Sequence, residues 1–234
     1  MRYPRGQVAL ERALSKLGLA SRSEGQRLIR AGRVTVNGAV ETDPLVGVHP
    51  DEDRIALEGK AAKPRAWRTI AFHKPRGTLT TRRDPAGRRT VFDVLGANAD
   101  GLIAVGRLDL ATSGLLLLTS DTQLAERLTN PKNAVIRRYV VTVRGEVSDD
   151  DCRHLAEGID DLRAASVTIR KRSRRETHLV VELTEGKNRE IRRLFDAIDH
   201  PVTALTRVAY GPIELGALQP GEWRELTRDA FSRL

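Results

Sequence analysis

The chain has 234 residues, a formal net charge of +9 and a single cysteine, Cys152. One cysteine excludes a disulfide framework and a cysteine-based metal site. No apolar run approaches the ~20 residues needed to span a bilayer, and the start of the chain is not typical of a signal peptide. We therefore expect a cytoplasmic protein without a membrane segment.

Basic residues are concentrated in blocks. Residues 1–33 carry eight Lys or Arg against two acids, residues 34–60 carry two against six, and residues 61–90 carry nine against one. Such blocks attract polyanions, of which nucleic acid is the commonest. The alternative is a basic linker that only keeps the protein soluble, and for residues 61–68 this alternative is as strong.

The N-terminal part predicts two short helices and a hairpin. Apolar residues recur on one face of a helix over residues 8–19. Ser21 and Glu24 have capping-box spacing and predict a second helix that ends at Gly32. Asn37-Gly38 between β-formers predicts a hairpin. We therefore expect a compact unit over residues 7–55, followed by a Lys- and Ala-rich linker over residues 56–68.

Residues 18–24 and 29–38 resemble the small S4-like RNA-binding module first recognised in a ribosomal protein of the small subunit. The alternatives are an arbitrary small α+β subdomain or a DNA-binding helix pair, and Gly18 and the hairpin argue against the latter. The resemblance implies that basic residues on the helices contact structured RNA. The predicted RNA contacts of this unit are Arg22, Arg27, Arg30 and Arg33.

From Thr69 onward, strand-like apolar runs outnumber helical segments, which indicates an α+β domain on a mainly antiparallel mixed sheet over residues 69–234. The predicted strands cover residues 70–72, 103–105, 115–119, 139–143, 167–169, 179–183 and 202–208. The predicted helices cover residues 122–128, 149–158 and 188–198.

One carboxylate stands out in this second domain. The stretch Gly106–Leu118 places Asp109, next to Arg107, in a tight loop between apolar segments. A fold can present a single acid to a substrate in this way. The alternative is a hairpin loop whose aspartate only pairs with Arg107. Phosphate-binding Gly-rich loops and paired metal-ligand histidines are missing from the sequence.

Three further segments are rich in basic residues. They are His73–Thr78 with the following residues 81–84, Arg137-Arg138-Tyr139, and Glu185–Phe195. The last of them has an apolar helix stripe and a cluster of cations beside the first helical turn, where positive charge opposes the helix dipole. The cluster indicates an anionic partner or, alternatively, a solvated face.

Taken in this order, the four segments resemble the pseudouridine synthases that modify ribosomal RNA, of the RsuA/RluB type in which an S4-like module precedes the catalytic domain. The similarity extends from about Val8 to the last residues of the chain. It implies isomerisation of uridine to pseudouridine in folded RNA, without a metal or cofactor. We expect ribosomal RNA or a pre-ribosomal particle as the partner, and a monomeric enzyme.

The resemblance also implies residue roles. Asp109 would be the single catalytic carboxylate, which attacks the base or sugar or stabilises positive charge on the sugar. Arg192 matches the cation that pairs with this aspartate, since an ionised carboxylate in a cleft needs a positive partner. Tyr139 would stack on the target base and is a candidate for proton transfer, and Ile191 would lie on the other side. Arg107 would contact RNA phosphate or shape the loop.

The remaining predicted contacts are less specific. Arg189 and Lys74 are expected at the substrate, and Arg82, Arg83 and Arg138 along the RNA. The segment Gly186–Arg193 favours large-subunit (23S) ribosomal RNA as the target, with small-subunit (16S) RNA as the alternative. A non-catalytic RNA-binding or ribosome-assembly factor is a second alternative, which would share the basic blocks but have no need of the catalytic residues.

Overall fold

The computed structural model describes residues 3–4, 6–20, 22–61, 66–232 and 234, and the chain divides into two compact units between Trp67 and Arg68. The described N-terminal elements are β1 (Val8–Ala9), α1 (Leu10–Lys16), α2 (Arg22–Arg30), β2 (Val34–Val36), β3 (Ala39–Glu41), β4 (Gly47–Val48), β5 (Ile55–Leu57) and β6 (Lys60–Ala61).

The N-terminal unit has the two helices and the hairpin that the sequence predicts. Its core is formed by apolar side chains from both helices and from β2, β4 and β5. Asn37 and Gly38 both have positive φ, at 53° and 92°, as a two-residue hairpin turn requires. The first helix is shorter than predicted because Val8 and Ala9 pair with β4. The predicted capping residue Ser21 lies outside the described residues.

The start of the predicted linker needs correction. Residues 56 and 57 belong to β5, which pairs with β2, and residues 60 and 61 form β6, which pairs with β5. The turn between them consists of Glu58 and Gly59, with φ of 52° and 76°. This hairpin was not predicted, because residues 56–61 include none of the β-branched residues that are typical of strands.

The C-terminal unit contains the larger sheet. Its elements are β7 (Thr69–Lys74), α3 (Val91–Leu95), β8 (Ile103–Ala104), β9 (Ser113–Thr119), α4 (Thr122–Thr129), β10 (Arg137–Arg144), α5 (Asp149–Glu157), β11 (Ser166–Arg172), β12 (Glu176–Leu183), α6 (Glu190–Asp196), β13 (Val202–Tyr210), β14 (Ile213–Glu214) and β15 (Trp223–Leu226). No helix in the described ranges of the chain is long and apolar enough to cross a membrane.

Nine of these strands form one sheet in the order β11-β12-β10-β13-β9-β7-β15, with β8 and β14 added beside β9 and β13. The pairing of β9 with β13 is parallel, and the other pairings of this sheet are antiparallel. The prediction of an α+β fold on a mainly antiparallel sheet is therefore confirmed. All seven predicted strands and three predicted helices of this unit are present, with shifted ends.

Besides the two-residue strand β14, two elements of this unit were not predicted. Helix α3 has five residues, too few for an apolar period, yet Thr90 and Asp93 form a full capping box at its start. Strand β15 lies at the sheet edge and pairs with β7 through a short run in which only Leu226 is buried. Neither element carries the periodicity from which the others were identified.

The parallel contact between β9 and β13 depends on one glycine. Gly114 of β9 is paired with Arg207 of β13, and its φ is 105°. A Cβ atom at Gly114 would lie 2.3 Å from the Arg207 carbonyl oxygen and 2.6 Å from its amide nitrogen. The two backbones can therefore approach this closely only where no side chain is present.

We predict that Gly114→Ala lowers the free energy of unfolding by about 4 kcal/mol, because backbone strain and a steric overlap with Arg207 add together. Gly221→Ala is the matched control. Its φ is also positive, at 94°, but no atom lies within 4 Å of the added Cβ. The control should therefore lose only about 1–2 kcal/mol. Equal losses in denaturant unfolding of the two variants would contradict the close-approach argument.

Candidate active site

A cavity of about 430 Å³ in the C-terminal unit brings together six of the seven residues predicted to be catalytic or substrate-binding. They come from three parts of the chain: the loop before β9, strand β10, and the segment that leads into α6. The predicted residues in the cavity lining are Arg107, Asp109, Tyr139, Arg189, Ile191 and Arg192. Residues predicted separately along the sequence therefore meet at one cavity.

The loop that carries Asp109 is held in place by backbone hydrogen bonds. The Thr112 N–H donates to the Asp109 carbonyl oxygen at 3.0 Å, which closes a tight turn. The Gly77 N–H donates to the Leu110 carbonyl oxygen at 2.7 Å, and the Thr80 hydroxyl donates to the Leu108 carbonyl oxygen at 2.9 Å. The half-buried Asp109 side chain is thus presented from a fixed backbone.

Lys74 lies behind this loop and is not part of the cavity lining, so its predicted contact with substrate is wrong. Its side chain is fully buried, and Nζ donates to the Thr112 carbonyl oxygen at 2.8 Å and to the Pro75 carbonyl oxygen at 3.0 Å. Burial lowers the pKa of Lys74 to about 8, although the negative charge of Asp109 acts in the opposite direction. Lys74 therefore positions the turn that presents Asp109.

Tyr139 and Ile191 provide two apolar surfaces of the cavity. Tyr139 lies on β10, where it is paired with Arg207 of β13 and Val181 of β12. Ile191 is in the first turn of α6. Both side chains are buried, at 8% and 4% exposure, and both line the same cavity as Asp109.

The ion pair expected between Asp109 and Arg192 is not formed in the structure, which describes both residues. No nitrogen of Arg192 lies within 4.0 Å of an Asp109 carboxylate oxygen. Arg192 Nη1 instead donates to the Val202 carbonyl oxygen at 3.0 Å. Burial is the main cause of the lowered pKa of Arg192; Arg189 and Arg76 lower it further, and Asp109 raises it. The two charges therefore interact across the cavity rather than in contact.

The exposed edge of the cavity is positively charged. Arg107 and Arg189 are exposed and line it, as predicted for substrate contacts. Arg189 has φ of 49° and precedes the first turn of α6. Arg76 was not predicted, but its charge acts on Arg192. In contrast, two other cations near the start of α6 pair with carboxylates of the protein. Lys187 pairs with Glu185 and Asp161, and Arg193 pairs with Asp161.

Unpartnered polar atoms collect in this cavity. Among the described residues, the buried side-chain nitrogen and oxygen atoms without a hydrogen-bond partner are Thr112 Oγ1, Glu190 Oε1, Arg192 Nε and Arg207 Nη2. All four residues line the cavity that contains Asp109. Buried polar groups are nearly always hydrogen-bonded, so exceptions need an explanation. Their convergence indicates a site that a polar ligand completes.

Two buried charged residues of this cavity, Glu190 and Arg207, were not predicted as site residues. Arg207 had a recognisable signal, because it occupies an inward-facing position of an alternating strand between the buried residues Leu205 and Ala209. Glu190 Oε2 accepts a hydrogen bond from the Lys187 N–H at 3.0 Å. Burial is the main cause that raises the pKa of Glu190 to about 7, with a further contribution from Glu185.

The residues predicted to contact RNA lie on both units. In the N-terminal unit Arg22 and Arg30 are exposed, Arg27 pairs with Glu24, and Arg33 pairs with Glu58. In the C-terminal unit Arg83 is exposed, Arg138 pairs with Glu182 at 2.8 Å, and the Arg82 guanidinium lies over the Phe92 ring at 4.6 Å. Surface pairs of this kind are weak and can be exchanged for phosphate contacts.

Comparison with known proteins agrees with this architecture. Residues 68–197 match the family described as RNA pseudouridylate synthase, and residues 10–54 match the S4 domain. The chain is 35% identical over 233 residues to an uncharacterized RNA pseudouridine synthase of Aquifex aeolicus, covering 97% of this chain and 94% of the relative. It is 42% identical over 233 residues to ribosomal large subunit pseudouridine synthase B of Escherichia coli K12, covering 93% and 78%.

A crystal structure described as that of a pseudouridylate synthase matches 95% of this chain and 97% of its own, with a TM-score of 0.67 and 26% sequence identity. The fold is therefore that of a two-part RNA-modifying enzyme with an S4 domain before an α+β domain. The chain belongs to the RNA pseudouridylate synthase family, which confirms the predicted family and enzyme class.

We predict that Lys74→Met removes a pH dependence of stability. Folded Lys74 releases its proton near pH 8, whereas an unfolded lysine keeps it to about pH 10.4. The unfolded state therefore binds more protons between these values, and wild-type stability should rise with pH there, by about 3 kcal/mol relative to the variant. Denaturant unfolding between pH 7 and pH 10.5 measures this difference, with the exposed Lys132→Met as a control that should follow the wild type. Parallel curves for wild type and Lys74→Met would show that the buried ammonium does not titrate in this range.

Proposed function

We propose that this enzyme isomerises a specific uridine to pseudouridine in large-subunit (23S) ribosomal RNA, with Asp109 as its single catalytic carboxylate. The observation that carries this proposal is the cavity in which Asp109 faces Tyr139, Ile191 and Arg192. Relatives at 40–42% identity, which carry the name ribosomal large subunit pseudouridine synthase B, support the large-subunit target.

Uridine isomerisation requires the base to leave the sugar, turn, and reattach through carbon. A carboxylate can assist by attacking the sugar or the base, or by stabilising positive charge on the sugar as the bond breaks. Asp109 suits either route because its turn is fixed by the backbone and by Lys74. Arg192 and Asp109 interact through their charges across the cavity, without a direct ion pair that would occupy the carboxylate oxygens.

The cavity has space for one nucleotide outside a base stack, so the target uridine must leave its stack at a cost of a few kcal/mol. We assign Tyr139 to stacking on the base and Ile191 to its other side. Arg107 and Arg189 at the exposed edge would bind flanking phosphates. These contacts would offset the cost of extracting the base.

The N-terminal unit would supply further RNA affinity through Arg22, Arg27, Arg30 and Arg33, with Arg82, Arg83 and Arg138 along the catalytic unit. Phosphate contacts of this number make binding strongly salt-dependent. We propose that the enzyme acts as a monomer. Ribosomal RNA as substrate would place the enzyme in the cytoplasm.

We predict that Asp109→Asn lowers the rate of pseudouridine formation by about 10³-fold or more, because the amide cannot supply the negative charge. Binding of ribosomal RNA should change little, since phosphate contacts dominate affinity. The measurement is chemical labelling of pseudouridine after single-turnover reaction. Asp100→Asn, an exposed aspartate outside the cavity lining, serves as a control and should react like the wild type. A rate within tenfold of wild type for Asp109→Asn would remove the proposed catalytic role.

A deletion strain tests the target. We expect it to lack pseudouridine at one uridine of 23S RNA, with 16S RNA unchanged, and expect the wild-type gene but not the Asp109→Asn variant to restore it. Mapping pseudouridine across both ribosomal RNAs gives the readout. Loss of a 16S site would instead support the small-subunit alternative. Rescue of a growth defect by Asp109→Asn would indicate a separate role in ribosome assembly.

A further inference from the structure

A buried arginine in the cavity lining is not used by the proposed roles above. Arg207 is 2% exposed, and its Nε donates to the Leu115 carbonyl oxygen at 2.7 Å. Its guanidinium lies 4.8 Å from the centre of the Tyr210 ring. Its Nη2 is buried and has no hydrogen-bond partner. The Nη2 amino group of this buried cation can therefore donate a hydrogen bond to a group that the protein itself does not supply.

A second arginine beside the Tyr210 ring, Arg137, has hydrogen-bond partners within the protein. The guanidinium of Arg137 is also 4.8 Å from the Tyr210 ring centre. It donates to the carbonyl oxygens of Val135, Thr184 and Leu128 at 3.0–3.3 Å and to the Tyr210 hydroxyl at 3.1 Å. Among the described residues, no carboxylate oxygen lies within 4.0 Å of either arginine. The hydrogen-bond donors of Arg137 are thus bound within the protein, whereas Arg207 Nη2 has no partner there.

The sheet places Arg207 between Tyr139 and the strand that follows the Asp109 loop. Its strand β13 lies between β10, which carries Tyr139, and β9, which follows the Asp109 loop. Arg207 is paired directly with Tyr139 on one side and with Gly114 on the other. Side chains directly opposite each other have Cβ atoms ~4.5–5.5 Å apart. The Arg207 guanidinium is therefore within reach of the edge of a base stacked on Tyr139.

Breaking the bond between ribose C1′ and uracil N1 leaves its electron pair on N1, from which negative charge spreads to the ring oxygens. In the proposed function, the Asp109 carboxylate stabilises the positive charge that develops at C1′. We propose that Arg207 donates Nη2–H to a ring carbonyl oxygen of uracil and stabilises the negative charge on the detached base. This inference rests on the proposed function. A buried cationic donor without a carboxylate partner acts more strongly than one in water.

The test is Arg207→Gln in single-turnover reactions at saturating ribosomal RNA. Loss of one such donor should lower the rate about 10²-fold while the Kd for RNA stays within about threefold. Arg207→Lys, which keeps the charge, should recover part of the rate. Arg224→Gln, an exposed arginine on β15 outside the cavity lining, is the control and should match the wild type.

A second substrate separates this role from damage to the fold. In RNA with 5-fluorouridine at the target position, the electron-withdrawing fluorine stabilises negative charge on the base by itself. Arg207→Gln should then slow loss of the starting nucleoside by a smaller factor than it does for uridine. A mainly structural defect would slow both substrates equally, and that result would overturn the proposal.

Two further outcomes would also overturn it. A raised Kd with a salt slope reduced by about one, at an unchanged rate, would make Arg207 a phosphate contact instead. A wild-type rate for Arg207→Gln, with Asp109→Asn inactive, would remove the role of Arg207 and leave the proposed function intact. If the wild-type protein itself forms no pseudouridine, the proposed function fails instead.

Discussion

The parallel contact between β9 and β13 is the constraint on which the site depends. It is the one parallel pairing in an otherwise antiparallel sheet, for the strands that the structure describes. Gly114 permits it, because any side chain there would overlap the Arg207 backbone. The contact sets the Asp109 loop beside the strand of Arg207, and through that strand beside Tyr139. Three residues far apart in the chain thereby meet in one cavity.

The charges of this cavity are arranged differently from those of the surface. Exposed cations such as Arg193 and Lys187, the latter at the edge of the cavity, have carboxylate partners. Inside the cavity, Arg192 and Arg207 each keep a buried donor without a partner. Burying such groups costs stability unless a ligand completes them. Their presence in one cavity indicates a site that a polar ligand completes.

Lys74 illustrates how composition can mislead about the role of a cation. In the sequence it stands beside other basic residues in a segment that suggests RNA contact. In the structure its stem and ammonium are enclosed, and the ammonium is bonded to two backbone carbonyls. Lys74 therefore holds the turn that carries Asp109 in place. Exposure, which decides between these two roles, is not encoded in the local sequence.

Much of this protein is readable from its sequence alone: the two-part organisation, the α+β class, the strands and helices with clear periodicity, and six of the residues that line the cavity. These properties are readable because they depend on local patterns and on short motifs with few alternative conformations. The sequence did not reveal helix α3, strand β15 or the hairpin at Glu58-Gly59, whose local signals are weak. Only the tertiary structure decided that Arg192 interacts with Asp109 at a distance, that Lys74 lies behind the loop, and that Arg207 lies between Tyr139 and Asp109. These relations depend on which strands pair and on what becomes buried, and both are set by contacts between distant parts of the chain.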